Sequence, residues 1–206
     1  ISQTQIKEIC RDHFRSLPHI ERLLEVVDHA GVEYRHFCFP PDYYLAARDF
    51  RSSNRDFVEQ AVALGSQAVR GALEGESPTS IDHVIGVTTT GVATPSIEAH
   101  LYNHLGLRSD IFRTPLFGTG CAGGVNALAH AGMFGRAHPD SRTLVLAVEL
   151  CGQTFQQTDR STRNLIATSL FGDGVAAVLV DGPSRSCRGP EILGAGSELI
   201  ADSLDV

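Results

Sequence analysis

Lysine is nearly missing: of the 17 basic residues only Lys7 is a lysine, and the rest are arginines, a bias that genome composition explains more simply than anion recognition. There is no basic excess. With 24 acidic side chains and a net charge of −7, the 206-residue chain lacks the positive surface that tracks a phosphate backbone, which argues against a nucleic-acid partner. No Cys-x-x-Cys spacing occurs, and the cysteine total is odd (five, at 10, 38, 121, 151 and 187), which argues against a zinc ribbon or a disulfide framework and for a reducing, cytoplasmic setting. No run approaches the roughly 18 apolar residues a membrane helix needs, so no membrane insertion is expected. A signal-peptide layout, internal repeats and low-complexity tracts are also lacking. The first residue is Ile1 rather than Met, inside a helix signal, which predicts a piece of a longer protein.

What is present is ordinary for a globular protein, 42% hydrophobic and 20% charged, enough for one sizeable core. Ser2 with Gln5 spells a capping box before a helix through Ile6, Ile9 and Phe14. A second helix is expected from Pro18 to Gly31, and Phe37 to Phe50, with Pro40 and Pro41, reads as a surface loop. Helical spacing from about Asp56 to Leu73 marks an amphipathic helix. Strands are expected at Ile81 to Thr88, Phe112 to Phe117, Thr143 to Leu150, Val175 to Val180 and near Glu191 to Leu199. Helices are expected from Ser96 to Leu105, Cys121 to Phe134 and Arg163 to Leu170. This alternation predicts an α/β fold with a mixed, mostly parallel sheet covered by helices on both faces.

The chemistry concentrates in Phe117-Gly118-Thr119-Gly120-Cys121-Ala122-Gly123-Gly124-Val125. A strand turning sharply into a helix needs glycine for its strained dihedrals, and such a turn presents the intervening side chain at the sheet's edge, as a nucleophile elbow does. The helix dipole favours the thiolate, and small neighbours leave room for an acyl group and let backbone N–H groups approach an oxyanion. Two other readings stay open. Gly118, Gly120 and Gly123 also spell the dinucleotide fingerprint G-x-G-x-x-G, with Glu149 as a ribose-binding acid. That fingerprint usually opens its domain, whereas here a long stretch precedes it. Alternatively, Cys121 is simply a small buried residue. His100 and His104 have the spacing of a metal pair, but no third ligand is evident, so no metal is expected.

Taken together, Gly120 to Gly124, Gly91-Val92-Ala93-Thr94-Pro95-Ser96, Thr154-Phe155-Gln156 with Asp159, and Leu170-Phe171-Gly172-Asp173-Gly174 resemble a type III polyketide synthase of bacterial character. This is the chalcone synthase-like branch of the thiolase superfamily, and the resemblance runs in order over nearly the whole chain. The Leu-Phe-Gly-Asp-Gly run and the cysteine turn also occur in β-ketoacyl-acyl-carrier-protein synthase III. Gly124, the Thr154 segment and the loop around Pro40 lean toward the polyketide synthase.

The resemblance implies the N-terminal βαβαβ half of a thiolase-like fold over residues 1–206, with an N-terminal strand and the C-terminal half outside it. It implies that Cys121 takes an acyl group from acyl-CoA and condenses it repeatedly with malonyl-CoA to pyrone or resorcinol-type products. Both thioesters are substrates, and no cofactor is implied. Phe171 would gate the cavity, Thr90 and Thr154 would line it, and Thr94 would reach the partner subunit of a homodimer. The Gly91 to Ser96 segment resembles members that take long fatty acyl starters. Two elements are unmatched. The coenzyme A-contacting basic residues have no clear counterpart, although Arg15 and Arg22 lie in that region. The catalytic histidine and asparagine come from the second half, and His130, nine residues past Cys121 or about two and a half turns, falls on the far side of its helix. The 206 residues alone are therefore expected not to condense.

Overall fold

The computed structural model describes residues 1–186 and 189–202. Helix α1 (Gln3–His13) starts where the capping box places it: the Ser2 hydroxyl accepts the Gln5 N–H at 3.2 Å, and the Gln5 side-chain Oε1 accepts the Ser2 N–H at 2.9 Å. The expected second helix is instead two short ones, α2 (Ile20–Leu23) and α3 (Glu25–His29). The turn tightens at Leu24, which drops Leu24 and Val27 onto the core that Ile6, Cys10, Phe14 and Leu165 form.

The stretch from Phe37 to Phe50 is not all loop. It holds α4 (Pro41–Leu45), whose first position suits proline, and α5 (Phe50–Leu73) begins well before the first apolar residue of its stripe. Asp49 supplies that start, its carboxylate accepting the Ser52 N–H at 2.7 Å. The first turns of α5 are polar, so hydrophobic periodicity could not reveal them.

Four strands follow, β1 (His83–Thr88), β2 (Phe112–Phe117), β3 (Arg142–Leu150) and β4 (Asp173–Asp181), interleaved with α6 (Ile97–Leu105), α7 (Gly123–Ala137) and α8 (Thr162–Leu170). The sheet order is β2-β1-β3-β4, parallel except for the antiparallel β3–β4 pair, as the alternation of elements predicts. On one face, α5 and α6 bury Phe57 and Leu101 against Val84, Leu144, Leu146 and Leu150. On the other, Ala127 and Ala131 of α7 lie on Ile85, Val87 and Val145, close enough because their side chains are single methyls. The strand expected near Glu191 to Leu199 does not form. No ladder reaches it among the described residues, and Leu193 and Leu199 stand in solvent at 85% and 90% exposure. Ile192 instead rests beside Gly132 of α7.

At the opposite end of the sheet from the strands' C-termini, His83 is buried, its ring nitrogens facing the hydroxyls of Thr114 (2.9 Å) and Thr143 (3.4 Å) and its face against Phe134. Burial, together with the nearby His130 and His138, pushes its pKa down to about 4. The unfolded chain, with an ordinary histidine near 6.5, binds the proton first, so stability is lost as pH falls from about 6.5 toward 4. The loss amounts to about 3 kcal/mol by pH 4. Urea unfolding at pH 7 and pH 4.5, wild type beside His83→Gln, checks this: the variant should show a shallower loss, and equal slopes would refute it.

Candidate active site

Strand β2 ends at Phe117, and the chain then passes Gly118 (φ +76°) and Gly120 (φ +54°) into a 3₁₀ turn over Gly120–Ala122. Both dihedrals are in the left-handed region that residues with a Cβ resist, so the glycines are what the turn demands. Helix α7 starts at once. A Cβ on Gly123 would lie 2.5 Å from Val87 Cγ1 and 2.7 Å from the Thr119 hydroxyl, so the first turn of α7 rests directly on β1. Cys121 is thereby held at the N-terminal end of a 15-residue helix with its side chain exposed.

Within the described residues Cys121 is exposed rather than buried. Among the described cysteines it is the exposed one: Cys10 is buried, and Cys38 and Cys151 are partly so. Desolvation pushes the Cys10 thiol up to about 11. Burial and the charge of Asp173 push Cys38 up to about 12. Burial, then Glu149, Asp173 and Cys121, push Cys151 up to about 11, so Cys151 lies within electrostatic reach of Cys121. None forms a disulfide, and Cys187 lies outside the described residues.

Two of the expected residues, Phe171 and Thr154, come together. Phe171, at the C-terminal cap of α8 and 48% exposed, lines an apolar cavity of about 470 Å³ with Thr154 and Cys151. The Thr154 hydroxyl donates to the Cys151 carbonyl at 2.8 Å within the 3₁₀ turn Cys151–Thr154. Thr90 is placed differently: its hydroxyl accepts the Leu150 N–H at 2.9 Å, tying the turn after β1 to the end of β3, and it does not line this cavity. Thr94 is exposed at the cis Thr94-Pro95 peptide. Its neighbours Val92, Ala93 and Ser96 line a separate apolar cleft of about 170 Å³ against β2.

Neither Arg15 nor Arg22 lines the cavity; Arg15 projects into solvent 3.7 Å from Asp12. On α1, Lys7 pairs with Asp28 and Arg11 with Glu21. Exposed His130 lies near His83, away from the cysteine turn.

Two carboxylates have partners that the sequence did not indicate. Glu149, read there as a ribose-binding acid, spends its carboxylate on Thr89, accepting the backbone N–H at 3.0 and 3.1 Å and the hydroxyl at 3.0 Å. Asp173 accepts the N–H groups of Gly152 (2.7 Å) and Cys38 (2.8 Å). No local signal announces either, because every partner is remote in sequence. Glu149 is thus engaged, and the glycine-rich turn follows the edge strand β2; the dinucleotide reading loses its support. Among the described residues no cluster of three or more His, Cys, Asp or Glu is arranged to hold a metal, and no helix is long and apolar enough to cross a membrane.

A cysteine elbow on this mixed sheet is a thiolase-like arrangement, the fold of the type III polyketide synthases that the chain superimposes on. Residues 47–183 match the family of chalcone and stilbene synthases, N-terminal domain, and the chain belongs to that family. The solved structure of 1,3,6,8-tetrahydroxynaphthalene synthase from Streptomyces coelicolor A3(2), a bacterial type III polyketide synthase, superimposes with a TM-score of 0.93 at 31% identity, over 98% of this chain and 58% of that one. Proteins named 1,3,6,8-tetrahydroxynaphthalene synthase are 40% identical over 78% of the chain in Streptomyces peucetius subsp. caesius and 30% identical over the whole chain in Streptomyces griseus. The chain spans about half the length of the curated relatives it matches.

Proposed function

We propose that this chain is the nucleophile-bearing half of a type III polyketide synthase, and the exposed Cys121 at the α7 N-terminus carries the proposal. The Cys121 thiolate attacks the carbonyl of an acyl-CoA. The tetrahedral intermediate collapses, the carbon–sulfur bond to coenzyme A breaks, and coenzyme A leaves as the thiolate that takes up a proton. Malonyl-CoA then loses carbon dioxide, and its electron pair, held as an enolate, attacks the acyl-Cys121 carbonyl and expels the Cys121 thiolate. Repetition and ring closure give pyrone or resorcinol-type products. Covalent capture divides one hard step into two easier ones.

The histidine and asparagine that stabilise the enolate come from the second half of the fold. In this reading Phe171 gates the cavity, Thr154 lines it, and Thr94 reaches the partner of a homodimer. The sequence relatives named as tetrahydroxynaphthalene and 3,5-dihydroxyphenylacetyl-CoA synthases support iterative condensation over the single condensation of a synthase III. Incubating the full-length protein with malonyl-CoA and an acyl-CoA starter tests this. Products carrying two or more malonate-derived units are expected; a single extension, or dependence on malonyl-carrier protein, would establish the synthase III alternative.

A further inference from the structure

We propose that Asp173 is a positioning residue that sets which acyl chains reach Cys121, by fastening an aromatic strap over the apolar cavity; the inference rests on the synthase reading above. The strap is residues 37–45. Its rings pack on one another: Phe39 stacks on Tyr43 at 3.9 Å between centroids, and Tyr44 meets Phe37 edge-on at 5.7 Å. The cavity's other wall comes from Ile6, Ile9, Thr154, Phe155 and Phe171. Among the described residues no basic side chain lines it, and hydrocarbon is the part of a thioester it suits.

Asp173 joins the two walls. One carboxylate oxygen accepts the Gly152 N–H at 2.7 Å, fixing the 3₁₀ turn that carries Cys151 and Thr154. The other accepts the Cys38 N–H at 2.8 Å and the Tyr44 hydroxyl at 3.3 Å, while that hydroxyl accepts the Phe39 N–H at 3.2 Å. The Asp173 N–H in turn donates to the His36 carbonyl at 2.8 Å. A Cβ on Gly152 would fall 2.9 Å from the Tyr44 ring, so strap and floor are in direct contact. Each of these donors is neutral, and no cation pairs with Asp173 among the described residues. Both carboxylate oxygens are needed as acceptors, which an amide cannot supply.

The anchorage also holds Phe171. Arg35, buried and with no carboxylate partner among the described residues, donates to the Thr168 carbonyl at 2.7 Å and to that of Ser169, at the end of α8. Residues 35–38 therefore grip the Phe171 turn on both sides, through Arg35 before it and Asp173 after it. Loosening the strap changes the width of the cavity beside Phe171, which matters for a long acyl chain and little for a short one.

The test is the rate of Cys121 acylation in the full-length enzyme, followed by intact mass with dodecanoyl-CoA and acetyl-CoA, for wild type, Asp173→Asn and Tyr44→Phe. The dodecanoyl-to-acetyl ratio is expected to fall roughly tenfold in each variant, the value of one lost hydrogen bond. A merely structural role lowers both rates together and leaves the ratio unchanged; that result would overturn the proposal. Should Asp173→Asn fail to fold, Tyr44→Phe, which deletes one hydroxyl, decides alone. A wild type that takes up neither acyl group overturns the Cys121 reading itself, which separates the two failures.

Discussion

Cys121→Ala in the full-length protein is expected to abolish the acyl mass gained from acyl-CoA and to lower condensation by about 10⁴-fold or more, the scale of losing a covalent nucleophile. The other described cysteines offer no substitute, since Cys10 and Cys151 are pushed up to about 11 and Cys38 to about 12 and stay protonated thiols at neutral pH. The fold should tolerate the change. The conformation of the turn belongs to Gly118 and Gly120 rather than to Cys121, and an alanine Cβ occupies the same place as that of cysteine, so stability should stay within about 1 kcal/mol of wild type. Intact mass spectrometry beside thermal denaturation checks both. Acylation of the alanine variant, or of neither protein, would sink the nucleophile assignment.

Gly91→Ala should destabilise the fold by about 3 kcal/mol, lowering the melting temperature by roughly 6 to 12 °C. A Cβ at Gly91 would sit 2.1 to 2.3 Å from three atoms of the Phe57 ring. That ring is fully buried in the cluster that joins α5 and α6 to the sheet, so it has nowhere to retreat. Gly124→Ala is the control. A Cβ there meets nothing within 4 Å, and its place in the first turns of α7 makes alanine neutral or stabilising by up to about 1 kcal/mol. Equal melting temperatures for the two variants would contradict the packing described for Gly91.

The features legible in the sequence are those whose cause is local. A capping box needs only Ser2 and Gln5, and a left-handed turn needs only its glycines, so the start of α1 and the elbow at Cys121 could be placed from residue types. The buried run 143–150 likewise marked β3. Where no apolar period exists the reading failed: the polar opening of α5 and the short α4 passed for loop, and the break at Leu24 was invisible because Leu24 and Val27 keep helical spacing across it. The segment 191–199 shows the reverse error, since alternation without a pairing strand makes no ladder. At the site, Phe171 and Thr154 line one apolar cavity, and the Thr90 hydroxyl accepts the Leu150 N–H.

By itself the sequence determined the strand–cysteine–helix turn, the mixed α/β sheet and the family resemblance, because glycine dihedrals, β-branched runs and short motifs act over a few neighbouring residues. Only the tertiary structure decided that Cys121 is exposed while Cys10, Cys38 and Cys151 are shielded, that Glu149 is committed to Thr89, and that Asp173 fastens Cys38, Tyr44 and Gly152 into one wall. Burial and hydrogen bonding between residues far apart in the chain depend on how the layers pack, and no local pattern encodes that distance.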